Sequence, residues 1–185
     1  MEYKPSGRSF AVDYAALGLL TERPMHGYEL REQLRRGLGA LWRIASSQLY
    51  SVLHRLERRD WIASHVESQT GRPSRTVYEI TPSGARAFDA WVTAPVEHLR
   101  DIRVEFLAKV YFLRRATPSR VADLVDAQTG LLEELESSLT RRGRPESDDV
   151  GLDGIMLSFR QQQMRSIIEW LKENRDMLMR MEENE

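Results

Sequence analysis

Between residues 46 and 80 the apolar residues change their spacing, and that change restricts what the chain can fold into. Over SSQLYSVLHRLERR (46–59), Leu49, Val52, Leu53 and Leu56 recur at i, i+3, i+4 and i+7, which predicts a helix with one buried stripe. WIASHV (61–66) follows at once and is rich in aromatic and β-branched residues, as strands are. ESQTGRPS (67–74) is turn chemistry, with Gly71 and Pro73 as breakers, and RTVYEI (75–80) is a second strand. A helix running directly into a two-stranded hairpin is therefore expected, with a polar hairpin tip.

The flanks complete the pattern. Ala11–Leu20 is a short apolar helix, interrupted by Glu22-Arg23-Pro24. His26–Arg36 is an amphipathic second helix closed by Gly37 and Gly39. Leu41, Trp42 and Ile44 bridge to Ser46, the expected N-cap of the third helix. After the hairpin, Thr81-Pro82 reads as an N-cap with proline at N1, opening a helix to about Thr93. Helix, helix, helix, strand, strand, helix is the order of a winged helix-turn-helix. Past Ala94-Pro95 the strands stop. Ile102–Leu113 reads as a buried helix, and Thr117-Pro118 opens a long helix to about Arg142 with the stripe Val121, Leu124, Val125, Leu131, Leu132, Leu135 and Leu139. After a loop at Gly143–Gly151, a helix over about 152–181 places Leu157, Met164, Leu171 and Leu178 seven apart, with Ile167, Ile168 and Met181 beside them. Apolar residues at heptad spacing want a partner helix, so these seven are the expected dimer seam. The expected fold is mainly α, with α+β character in the first half: a winged helix-turn-helix domain over 1–95 and an all-helical dimerisation domain over 96–185.

Composition bounds the function. The 185 residues include no cysteine, which removes disulfides, thiolate zinc sites and cysteine nucleophiles together. The longest uncharged apolar run is Tyr14–Leu20, far short of the ~20 residues that span a bilayer. Residues 1–10 lack an apolar signal core, so a cytoplasmic protein without membrane contact is expected. Residues 1–95 hold 13 basic against 10 acidic residues, net +3, and residues 96–185 are net −4. His26, His54, His65 and His98 include no i, i+4 pair, and no HExxH, P-loop, GxSxG or GxGxxG stretch occurs. No enzyme, metal site or cofactor is expected.

The third helix carries the functional signal. Its outer face, Ser47, Gln48, Ser51, His54, Arg55 and Arg58, contains no carboxylate. A helix in the major groove needs small polar side chains near its N-terminus and no acid facing the phosphates. Ser46, Ser47, Gln48 and Ser51 suit base edges or phosphate oxygens, Tyr50 suits sugar or phosphate, and His54 and Arg55 suit the backbone. At the hairpin tip Arg72, Ser74 and Arg75 suit phosphate or minor-groove contact, with Tyr28 and Arg8 as further phosphate contacts. The competing reading is a protein-interaction adaptor that keeps the winged helix without binding DNA, favoured by the small basic excess.

Residues 14–91 resemble PadR-type transcriptional regulators. The similarity is carried by YAALGLL (14–20), PMHGYELREQL (24–34), LW (41–42), SSQLYSVLHRLE (46–57), WI (61–62) and GRPSRTVYEITPSGARAFDAW (71–91), and more loosely by VEFLAKVYFL (104–113) and the helical C-terminal region. One departure is visible: Asp60 stands where these proteins often have glycine, and aspartate also tolerates a left-handed turn. The resemblance implies a separate helical dimerisation region, repression and the sensing of a small aromatic or hydrophobic effector; a homodimer placing two copies of the third helix in successive major grooves would read an inverted repeat in double-stranded DNA. Trp91, Phe106, Tyr111, Phe159 and Trp170 are the expected effector lining, with Arg160 or Arg165 able to meet an acid.

Overall fold

The first helix, α1 (Gly7–Leu20), is apolar on nearly every side and can only be central. Ala11, Ala15, Ala16 and Leu17 are fully buried. Gly18 lies against the Phe112 ring, where a Cβ would stand 2.6 Å from Cε1, so the close approach requires glycine. The computed structural model describes residues 7–41, 45–69, 72–142 and 151–180, and these form two compact units.

Around α1 in the first unit stand β1 (Met25–His26), α2 (Gly27–Leu38), α3 (Ser46–Glu57), β2 (Ile62–Gln69), β3 (Arg72–Ile80) and α4 (Pro82–Thr93). The three strands form an antiparallel sheet in the order β1-β3-β2, with Met25 opposite Tyr78 and Ile62 opposite Ile80. This is a winged helix-turn-helix. The two-residue β1 is too short to leave a periodic signal in sequence; it exists because β3 offers it a partner. The α3 stripe is buried as its spacing requires: Leu49, Val52, Leu53 and Leu56 are all at 2% exposure or less.

The α3–β2 turn depends on Asp60, whose φ of 53° is left-handed and non-glycine. Its carbonyl accepts from Thr81 Oγ1 at 2.6 Å and Ser83 Oγ at 2.5 Å, tying the turn to the start of α4. Thr81 caps α4 as expected, its Oγ1 accepting from the Gly84 N–H at 3.1 Å. Ser46 does not cap α3. The N-cap position is Ala45, without a side-chain cap, and Ser46 is the first helical residue.

Residues 94–100 belong to the second unit, whereas 101–112 return to the first. After the short α5 (Leu99–Asp101), the expected buried helix opens as a π-helical turn, Ile102–Phe106, and continues as α6 (Leu107–Ala116). Phe106 is fully buried, and Phe112 meets Phe88 edge-on with centroids 5.4 Å apart, so this segment completes the first core.

The second unit is an antiparallel hairpin of α7 (Ser119–Arg142) and α8 (Leu152–Glu173), with α9 (Arg175–Met179) after a break at Asn174. The single helix expected over 152–181 is thus two. The Asn174 side chain donates to the Trp170 carbonyl at 2.9 Å, competing with the helical ladder there. Three ion pairs follow the hairpin: Glu136–Arg165 at 2.5 Å, Glu133–Lys172 at 2.6 Å and Asp126–Arg175 at 2.8 Å. Between the helices, Val121, Leu124, Val125 and Leu132 are buried, as are Met164, Ile168, Leu171 and Leu178. Four of the seven residues of the expected dimer seam, Met164, Ile168, Leu171 and Leu178, are therefore covered within the subunit. Leu157 and Ile167 are half-buried beside them, and Met181 lies outside the described residues.

Gln128, with no exposed surface, fastens the linker to α7. Its Nε2 donates to the Val96 carbonyl at 3.0 Å, and its Oε1 accepts from the Val96 N–H at 2.6 Å. Gln128→Leu would strand both backbone groups, at roughly 1–3 kcal/mol each. Urea denaturation should show a loss of at least about 2 kcal/mol, and Gln128→Glu should also destabilise because a carboxylate cannot donate to the Val96 carbonyl.

Candidate nucleic-acid interface

Helical spacing turns α3 so that Ser46, Ser47, Gln48, Ser51, His54 and Arg58 are exposed while the leucines face α1. Tyr50, 47% exposed, stands on the flank. Ser51 Oγ donates to the Ser47 carbonyl at 3.0 Å, leaving its oxygen lone pairs outward. Glu57, the one acid of α3, accepts from Ser64 Oγ at 2.5 Å and lies 3.5 Å from His54 Nδ1, so it is engaged with the hairpin base and the helix. The exposed face of the helix is polar and acid-free.

Ser46 has a different role from the expected cap. Its Oγ accepts from Arg31 Nη1 of α2 at 2.7 Å, and the Arg31 guanidinium lies 5.1 Å from the centroid of the Tyr28 ring. Tyr28 is 67% exposed. These three residues join the start of α2 to the start of α3, which is the part of a helix-turn-helix that meets DNA.

A cleft of about 750 Å³ runs beside them, between α2, α3 and β3, and its lining includes Tyr28, Gln33, Arg36, Tyr50, Ser74 and Arg75. The structure thus brings together Tyr28, Tyr50, Ser74 and Arg75, which lie far apart in sequence. Two carboxylates also line the cleft, and both are ion-paired. The Arg23 guanidinium, bonded to Glu29, holds that carboxyl below the usual range, and Arg35 does the same to Glu32 from 3.0 Å. Sequence reading missed Arg31, Gln33 and Arg36. Helical spacing along α2 puts Glu29, Glu32, Gln33 and Arg36 on one face, but only the wing's position shows that the face borders a cleft. The side chains of Arg8 and Arg72 lie outside the described residues.

Arg55 is placed differently from its neighbours. It turns inward, and the two nitrogens on one edge of its guanidinium bind Asp13 of α1: Nε donates to Oδ2 at 2.7 Å and Nη2 to Oδ1. Asp13 in turn holds the Arg55 guanidinium's pKa above its ordinary value.

The five residues expected to line an effector pocket do not share one environment. In the first unit Phe106 is sealed in the core. Trp91 stacks on Tyr14 with centroids 4.8 Å apart and planes 4° from parallel, and its Nε1 donates to Glu105 Oε1 at 2.9 Å. Tyr111 places its hydroxyl against Gly37. These three are already used in packing. In the second unit Phe159 is 62% exposed and Trp170 is 37% exposed, on the outer side of α8.

Residues 16–90 match the model of the family described as transcriptional regulator PadR-like. A probable transcriptional regulator of Mycobacterium tuberculosis is 32% identical over 157 residues, covering 80% of this chain and 83% of that protein. This chain belongs to the PadR-like family of transcriptional regulators. The negative transcriptional regulator PadR of Bacillus subtilis is 27% identical over 117 residues, covering 63% of this chain and 64% of that protein. Among solved structures, Bacillus subtilis PadR in complex with operator DNA is similar at 22% identity and a TM-score of 0.45, over 90% of this chain and 98% of that chain. The PadR-like assignment makes the chain a transcriptional regulator. No helix among the described residues is long and apolar enough to cross a membrane.

Behind the interface, the PadR-like core contains a buried ion pair. Lys109, at 1% exposure, binds Glu105 at 2.9 Å, and its Nζ lies 5.1 Å from the Trp91 ring centroid. Lys109→Met would leave the Glu105 carboxylate without its cation, at a cost of about 3 kcal/mol. Thermal melts should show this loss, and adding Glu105→Gln should recover most of it.

Proposed function

We propose that this PadR-like chain is a homodimeric, ligand-responsive repressor that reads an inverted-repeat operator with α3 and the β2–β3 wing. The observation that carries the reading is the acid-free exposed face of α3, bordered by the cleft that gathers Tyr28, Tyr50, Ser74 and Arg75. Ser47, Gln48 and Ser51 are assigned to base edges, where an amide can read an adenine bidentately. Ser46, Tyr28, Tyr50, His54, Arg75 and the expected Arg72 are assigned to the sugar-phosphate backbone. In a symmetric complex the two α3 helices would enter successive major grooves about 34 Å apart, and the operator would repeat their symmetry.

The dimer seam is assigned to the outer side of α8 and α9, in place of the inward stripe. Leu152, Met156 and Phe159 are exposed at i, i+4 and i+7 on one face of α8, and Trp170 and Met177 are exposed further along the chain. Phe159 and Trp170 also retain the open aromatic faces that an aromatic or hydrophobic effector needs, whereas Trp91, Phe106 and Tyr111 do not. An effector lowers operator affinity only by binding better to a state in which the two readers are misaligned.

Three measurements test these assignments. Selection from a random duplex pool should return an inverted repeat, and binding to it should weaken steeply between about 50 and about 200 mM salt. An empty selection would favour the adaptor reading. On the selected duplex, Gln48→Ala should flatten sequence preference, whereas Arg75→Ala should weaken all duplexes alike and lower the salt slope by about 1. Phe159→Glu should give monomers by analytical ultracentrifugation and abolish cooperative operator binding, and a variant that remains dimeric would place the seam elsewhere.

A further inference from the structure

We propose that Asp13 is a positioning residue for sequence reading: from α1 it holds Arg55 and so fixes the roll of α3, and Arg55 acts through Asp13 instead of on the DNA backbone. This rests on the assignment of α3 as the reader.

Asp13 is 1% exposed, within a helix whose other central residues are apolar. A carboxylate so placed is costly unless it is paired. Its partners both come from α3 or its end: the Arg55 fork on both oxygens, and Arg59 Nη1 3.9 Å from Oδ2. Arg59 is itself held over the Trp61 ring, 5.1 Å from the centroid. Arg55 sits on the flank of α3, between the buried leucines and the outward Ser51 and His54.

That flank position determines roll. A stripe of leucine and valine fixes which face is inward but tolerates repacking. A bidentate guanidinium–carboxylate pair has essentially one good geometry. A roll of about 10° moves side-chain tips about 6 Å from the helix axis by about 1 Å, enough to break a hydrogen bond to a base edge. The reference point is rigid, because the next residue, Tyr14, is stacked on Trp91, which Glu105 holds by its ring nitrogen. Two of the Arg55 guanidinium's donors, on Nε and Nη2, are spent on Asp13 and point into the fold.

The test uses the full-length protein, the duplex recovered by selection and a scrambled duplex, each over about 50–200 mM salt. Arg55→Lys keeps the charge and loses the fork. It should lower operator affinity about tenfold, the scale of one lost base contact, with scrambled-duplex affinity, salt slope and melting temperature close to the parent. Asp13→Asn and Arg55→Met should each reduce the operator preference, and the double variant should lose no more than either alone. If Arg55→Met weakens both duplexes equally and lowers the salt slope by about 1, Arg55 is a phosphate contact and the proposal is wrong. A rise in affinity for both duplexes in Asp13→Asn, or full operator preference in Arg55→Lys, overturns it equally. If the parent itself selects no duplex, the reader assignment has failed, which is a separate outcome.

Discussion

A helix that is apolar on nearly every side has one stable location, and α1 occupies it. Its alanines allow α2, α3, α4 and the π-helical turn to approach, and Gly18 admits the Phe112 ring. Once α1 is central, the α3 stripe must face it, and the polar side of α3 must face away. The one carboxylate on α1 then meets Arg55 of α3, converting a slippery apolar contact into one with a defined rotation. The outward presentation of Ser47, Gln48 and Ser51 is therefore a consequence of what lies on the opposite side of the same helix.

The second unit solves a different problem. Two long helices with apolar stripes can slide past one another by a turn at little hydrophobic cost. Glu136–Arg165, Glu133–Lys172 and Asp126–Arg175 oppose such a slip together, although exposed pairs contribute little stability individually. Gln128 adds a directional constraint by imitating a backbone partner for Val96. Register is set by polar groups, and adhesion by Leu124, Leu132, Met164 and Leu171. Leu152, Ile155, Met156 and Phe159 at the start of α8 stay uncovered, a patch that water solvates poorly.

Much of the fold was legible because its signals are local. The α3 stripe, the Thr81-Pro82 start of α4 and the turn tolerance of Asp60 all follow from residues within one or two turns of each other. What the sequence did not reveal was which of two chemically adequate partners a residue meets. Ser46 looks like an N-cap, but Arg31 reaches it from α2. Arg55 looks like a phosphate ligand, but a carboxylate 42 residues earlier binds it. Met164 and Leu171 keep heptad spacing, which says that a helix must cover them without saying whose helix it is. The wing-side cleft was partly legible: Tyr28, Tyr50, Ser74 and Arg75 were recognisable singly, and Arg36 and Gln33 were not.

The sequence by itself determined which segments become the main helices and the hairpin strands, that the leucine stripe of α3 is buried, where α4 begins, and that an acid-free helix precedes a hairpin with a basic tip. These depend on periodicity, capping and turn chemistry, which act over a few residues. Only the tertiary structure decided which polar groups are consumed in pairs and which apolar stripe stays open. Asp13 and Arg55 are both ordinary charged residues until folding excludes water between them, and the two faces of α8 are both apolar until α7 covers one. Partner choice is a property of proximity in three dimensions, and that information is absent from any short stretch of the chain.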